Sequence, residues 1–147
     1  LRTDPTAAGQ RQAAAARAAR PTAQAKAEAW AEIVESDQLP NAVQAAMIGG
    51  FQQSDQLELM ASYVEPYFAA IGDVWERRTA EMAQSVVVGL YPALLVSPET
   101  LERTDDYLQT AGPPAALRRL LLEGRDGVAR ALRARARDAA AGGSAGG

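Results

Sequence analysis

Alanine supplies much of the apolar content of this 147-residue chain, and that restricts what it can fold into. Apolar residues make up 48% of the sequence but aromatic residues only 5%, so any core must be built from small side chains brought close together. Closely spaced helices meet that demand better than a β-sandwich, whose sheets stand about 10 Å apart and need larger side chains between them. The length suits one domain with a real core. Its prolines and glycines fall mostly between periodic stretches, where they act as punctuation.

The pattern then reads as helix after helix, with no convincing strand. Asp4 is placed to cap the first helix with Pro5 at its first position, and Pro21 breaks it after Arg20. Thr22 caps a second helix whose apolar face is Ala27, Trp30, Ala31 and Val34. Ser36 to Pro40 is a connection. A third helix over Asn41–Phe51 buries Val43, Ala46, Met47, Gly50 and Phe51. There Gly49 and Gly50 each cost about 1 kcal/mol relative to alanine, and close packing compensates. Asp55-Gln56-Leu57-Glu58 has the form of a capping box opening a fourth helix. That helix carries the stripe Leu57, Met60, Tyr63, Val64, Tyr67, Phe68 and Ile71, with a kink or boundary near Val64-Glu65 because Pro66 lies inside it. Gly72-Asp73 marks a turn, and a fifth helix carries Trp75, Met82, Ala83, Val86, Val87 and Leu90 as far as Pro92. Ser97-Pro98-Glu99 starts a sixth, with Leu101 and Leu108 on one face. Pro113-Pro114 opens the last, with Leu117, Leu120, Leu121, Val128 and Leu132 inward.

The expected fold class is all-α: a HEAT-like α-solenoid or helical bundle of about seven antiparallel helices. Residues 1–138 are expected to form one helical domain, followed by a disordered Ala/Gly/Ser tail over 139–147.

The sequence contains no histidine and no cysteine. A Ser-His-Asp triad, a thiol nucleophile and a Cys/His zinc site are thereby excluded. No catalytic, metal-ligating or cofactor-binding residue is expected in the segment, and no enzyme activity from the segment alone. No apolar run is long enough for a membrane span, and no signal peptide is visible. The start at Leu1 suggests a cut or processed chain, and the lack of cysteine fits a cytoplasmic location. The net charge of −3 hides a segregation: five basic groups and one acid in residues 1–26, fourteen acids against Arg77, Arg78 and Arg103 in residues 28–106, and seven arginines with three acids from Arg118 to Asp138. Either the basic ends solvate their outer faces or one of them meets an acidic partner. Nucleic-acid binding is not expected, since no basic stripe is interleaved with aromatics.

Several groups could carry chemistry, and each has a plainer reading. Tyr63, Tyr67 and Phe68 with Trp75 form either an aromatic ligand cleft or core. Glu28, Glu32 and Glu35 read as a solvated helix face, and Asp105-Asp106 point in different directions instead of converging as acid/base catalysis requires. Arg77-Arg78 could hold a substrate carboxylate bidentately or pair with nearby acids.

A set of residues in order along the chain resembles a known family. Asp4-Pro5-Thr6 with Gly9, Lys26, Trp30, and Gly50-Phe51 with Gln53 begin the set. Tyr63-Val64, Tyr67-Phe68, Trp75 with Arg78 and Leu90-Tyr91-Pro92 continue it. Leu117-Arg118-Arg119-Leu120, Glu123, Asp126 and Arg130-Ala131-Leu132-Arg133 complete it. Together they resemble the helical C-terminal domain of bacterial aminopeptidase N, a zinc metallopeptidase of the gluzincin type. The resemblance implies a non-catalytic domain, part of a larger chain that removes N-terminal amino acids from peptides. In such enzymes zinc sits in a separate catalytic domain, the partner of this one, and the helical domain covers the active-site chamber and limits access. Phe51, Gln53 and Arg78 are the residues expected to face peptide substrate. One departure is Gln52, where the resemblance leads to an aromatic residue. The alternative reading is a free-standing α-solenoid that binds a protein or peptide on its concave face.

Overall fold

The computed structural model describes residues 5–144 and is all-α, with eight α-helices and no strand among the described residues. The chain divides into two compact units, Leu1–Tyr91 and Pro92–Gly147.

In the first unit, α1 (Pro5–Ala18) precedes α2 (Ala23–Trp30), which continues without a break into a wide π-type turn over Ala31–Glu35. α3 (Asn41–Phe51), the short α4 (Leu57–Ala61), α5 (Val64–Arg77) and α6 (Ala80–Gly89) follow. The Thr22 hydroxyl accepts from the Ala25 N–H at 3.1 Å, satisfying a donor that the first turn of α2 leaves open. Thr79 does the same for α6 through Met82. α1 packs on α3, α5 on α6, and α3 on α6.

α1 and α3 approach closely at Gly50. A Cβ placed on Gly50 would lie 2.2 Å from the Ala15 carbonyl oxygen, so only glycine lets the two backbones meet there. Its neighbour Gly49 has open space around it. Of the glycine pair, one is therefore a packing residue and the other is not. The core is completed by Ile33, Met47, Phe51, Phe68, Ile71, Val74, Val86 and Val87, all buried. Tyr67 joins it with its hydroxyl donating to the Val87 carbonyl at 2.6 Å, which removes the cost of burying that group.

The second unit contains α7 (Pro98–Ala111) packed on α8 (Ala115–Ser144). Ser97 caps α7 by accepting from the Thr100 N–H at 3.3 Å, with Pro98 in the first turn. Gly112 ends it with φ +54°, the left-handed conformation that glycine adopts without strain. Pro113-Pro114 then precede α8, which buries Leu117, Leu121 and Val128 and leaves Leu120 and Leu132 half-buried. α8 continues through Ser144, so the expected boundary at 138 falls inside a helix.

Several expected details differ. The inward face of α2 is rotated: Ala25, Lys26, Ala29 and Trp30 are buried while Ala27 is exposed. The expected stripe caught Trp30 and Val34 but took Ala27 where Lys26 and Ala29 face inward. Gly72-Asp73 is not a turn. α5 runs through it to Arg77 and includes Trp75, and the break comes where Thr79 offers a cap. The boundary expected near Val64-Glu65 is real but falls two positions earlier, at Ser62-Tyr63, because Pro66 is tolerated in the first turn of α5. The capping box at Asp55 does not form, as α4 begins after Gln56 with no side-chain cap. Asp4 lies outside the described residues.

Candidate functional site

The chemistry-bearing side chains of the first unit gather at helix ends. Lys26 is fully buried, and its ammonium donates to the Ala18 carbonyl at 2.7 Å and the Phe51 carbonyl at 3.1 Å. These carbonyls belong to the last residues of α1 and α3, where the helix leaves acceptors open and its dipole is negative. One cation thus closes two helices. The Phe51 ring adds a cation–π contact, with its centroid 5.3 Å from Nζ. Burial pulls the Lys26 pKa below its ordinary value, partly opposed by the charge of Asp55.

Three glutamines following α3 repeat the device. Gln53 donates from Nε2 to the Gly50 carbonyl at 2.9 Å, and Gln56 to the Ala19 carbonyl at 2.8 Å. Gln52 reaches the Gly89 carbonyl at 2.9 Å and the Tyr91 carbonyl at 3.4 Å, closing the end of α6. That explains an amide here: an aromatic ring in the same place would leave those carbonyls without this donor. Beside this turn, Trp30, Phe51 and Tyr63 form an aromatic trio with centroids 5.0–5.9 Å apart. Burial raises the Tyr63 pKa.

A second cluster closes the π-type turn. Arg78 exposes only 4% of its side chain. Its Nη2 donates to the Val34 carbonyl at 2.8 Å and the Ser36 carbonyl at 2.9 Å, Nη1 to Gln44 Oε1 at 3.0 Å, and Nε to Asp37 at 3.1 Å. Arg77 binds the same Asp37 and, at 2.9 Å, Asp73. The hydrogen bond from Arg77 is the main cause holding the Asp37 carboxyl below the usual range, with the charges of both arginines adding to it.

Of the residues expected to face substrate, Phe51 is buried, Gln53 is half-buried and Arg78 is held by protein acceptors on four sides. Phe51 and Gln53 share one turn; Arg78 belongs to the other cluster. Tyr67 and Phe68 lie in the core, stacked edge-on at 5.0 Å, and not in a cleft. Glu28, Glu32 and Glu35 are exposed on their helix, and Asp105 is bound by Arg125 at 2.5 and 2.8 Å.

Lys26 was the residue that sequence reasoning undervalued, although the signal was present. Lys26, Ala29, Trp30 and Ile33 stand at i, i+3, i+4 and i+7, which places the lysine on the apolar stripe. A lysine on such a stripe is buried only when its ammonium finds acceptors.

Zinc finds no fit among these residues: the sequence has neither histidine nor cysteine, and no metal-binding group of acidic residues occurs among the described residues. Nor is any helix among them long and apolar enough to cross a membrane. What the arrangement does chemically is direct N–H donors at helix-end carbonyls, which fixes the positions of helices.

These features define an all-helical domain whose buried polar groups serve its architecture. Residues 1–130 match the ERAP1-like C-terminal domain, and the chain belongs to that family. It is also 64% identical over 138 residues to a protein from Streptomyces lividans named aminopeptidase N. That alignment covers 94% of this chain but only 16% of the relative, so the chain spans a small part of the relative's length.

Proposed function

We propose that this segment is the non-catalytic C-terminal helical domain of a zinc aminopeptidase, an enzyme that removes amino acids from peptide N-termini. In this reading the segment continues a HEAT-like solenoid, packs against the catalytic domain of the same polypeptide, covers the active-site chamber and limits which substrates enter. Zinc belongs to that catalytic domain, and the whole enzyme is cytoplasmic. The observation that carries the reading is the match to a protein named aminopeptidase N over nearly the whole segment, joined to a set of buried polar side chains spent on helix ends. The proposed substrate-facing residues are Phe51, Gln53 and Arg78. Gln53 is the one that combines partial exposure with a polar side chain in the turn after α3, so it makes the direct contact, while Phe51 supports that turn from within and Arg78 braces the separate cluster at the π-type turn.

The test is a peptidase assay of the long polypeptide that contains this segment, on alanyl and leucyl amides, with and without a zinc chelator. Chelator-sensitive cleavage of amides and short peptides, together with failure to trim a folded protein that has an exposed N-terminus, is the expected result. A polypeptide with no upstream zinc domain and no peptidase activity would sink the reading.

A further inference from the structure

The aromatic stripe has one member whose polar end the core does not absorb. Tyr67 spends its hydroxyl on the Val87 carbonyl, whereas the Tyr63 hydroxyl makes no hydrogen bond among the described residues. Gln53 Oε1 is likewise without a donor among them. The oxygens of Gln52 and Gln56 are unbonded too, but those are sealed from water. Tyr63 and Gln53 are half-buried side chains whose unbonded ends stay open to solvent.

The two open groups share one patch. Gln53 follows Phe51 in the turn after α3, and the Phe51 ring stands edge-on to Tyr63 with centroids 5.2 Å apart. Met60 ties the two backbones together: its Sδ accepts from the Gln53 N–H at 3.3 Å and its carbonyl from the Tyr63 N–H at 2.9 Å. Each side chain is also fixed at its inner end, Gln53 by Nε2 on the Gly50 carbonyl and Tyr63 by the rings of Trp30 and Phe51. A donor and an acceptor held in this way lose little rotamer freedom on binding. Burial raises the Tyr63 pKa, so its hydroxyl remains a donor at neutral pH.

We propose that Tyr63 and Gln53 together hold the main chain of an extended peptide substrate, away from the bond being cut. Gln53 Oε1 accepts a peptide N–H, and the Tyr63 hydroxyl donates to a peptide C=O. In an extended strand the N–H and C=O of one residue point to the same side, so a neighbouring acceptor and donor can engage both. Recognition of this kind ignores the peptide's side chains. The proposal rests on the reading that the segment belongs to an aminopeptidase, and deepens it by adding Tyr63 to Gln53 and naming the amide as the group they bind. A substrate carboxylate is a poorer occupant, because Lys26, the cation beside the Phe51 ring, is fully buried and already bound to two carbonyls.

The experiment measures, by fluorescence anisotropy, how an uncharged decapeptide labelled at its C-terminal end binds the full polypeptide. A zinc chelator is present so that no cleavage intervenes. Tyr63→Phe keeps the ring in the aromatic trio and removes only the hydroxyl. It should weaken binding about fivefold, the ordinary worth of one neutral hydrogen bond, without changing the melting temperature. Replacing each peptide N–H in turn by N-methyl should reveal one residue, away from the peptide's N-terminus, where methylation weakens binding by a similar factor. Wild-type affinity in Tyr63→Phe would overturn the proposal. With a lowered melting temperature besides, that result would assign the hydroxyl to the polypeptide's own structure. Tolerance of N-methylation at every residue beyond the N-terminal ones would overturn it too, since Gln53 would then accept nothing from the peptide. Cleavage of alanyl amide by the wild type without chelator bears only on the proposed function, so the two readings fail independently.

Discussion

The two units solve one problem in different ways. Every helix leaves carbonyls open at its C-terminal end. In the second unit the answer is local: Gly112 ends α7 in the left-handed conformation, and Pro113-Pro114 follow at once to stop it. In the first unit the donors come from far along the chain. Lys26 reaches back 8 residues to Ala18 and forward 25 to Phe51, Gln56 reaches back 37 to Ala19, and Arg78 reaches back 44 to Val34. A local cap sets where a helix stops. A distant one also sets which helices stand together, and it couples the ends of α1 and α3 through one buried ammonium.

If that contrast is sound, substitutions should cost most where the first unit depends on contacts between distant residues. Gly50→Ala should be the most damaging change, at about 4 kcal/mol, because its Cβ would meet the Ala15 backbone and not a side chain that can move. Gly112→Ala in the second unit should cost only about 1 kcal/mol, the ordinary penalty for a non-glycine residue at positive φ. Denaturant unfolding of both variants measures the gap, and equal costs would erase the contrast.

Lys26→Met should destabilise by about 3 kcal/mol by leaving two buried carbonyls without their donor. The pH dependence sharpens this. Burial lowers the Lys26 pKa in the folded protein, so the unfolded chain holds that proton more tightly. Wild type should therefore gain stability relative to Lys26→Met as pH rises through the interval between the lowered value and the ordinary lysine value. A difference that is flat or falls with pH there would contradict the burial of a charged amine.

Arg78→Ala should cost about 2 kcal/mol, since it strips the donor from two backbone carbonyls and Gln44. In the proposed full-length aminopeptidase it should lower the melting temperature more than it changes KM. An unchanged melting temperature with an altered KM would make Arg78 a substrate contact and not a brace. The smallest effect belongs to Arg125→Ala, at about 0.5 kcal/mol, because the Asp105 carboxylate it binds is half exposed to water. Thermal melts of the variant and wild type should nearly superimpose.

The same contrast explains what could be read from the sequence. Thr22, Ser97-Pro98 and Pro113-Pro114 act on neighbouring residues, and the helix starts they imply are where the structure has them. The all-helical fold and the family followed from periodicity and from residues quoted in order. Gly72-Asp73 misled because a glycine beside an aspartate is a turn signal only if nothing holds the helix together. Tyr67, Phe68, Ile71 and Val74 bury one face of α5 on both sides of Gly72 and carry the helix through it. Gln52, Gln56 and Arg78 gave no local sign of their partners, since those lie on other helices. The burial of Phe51 at the end of α3 was legible from the helical pattern, whereas the half-burial of Gln53 just beyond it could not be read from its type.

Amide hydrogen exchange on wild type and Lys26→Met, within the full polypeptide, tests the central claim most directly. Loss of the shared cation should lower protection in the last turns of both α1 and α3, while α7 and α8 keep theirs. Unchanged protection at both of those helix ends would mean that Lys26 does not hold them, and the contrast between the two units would fall.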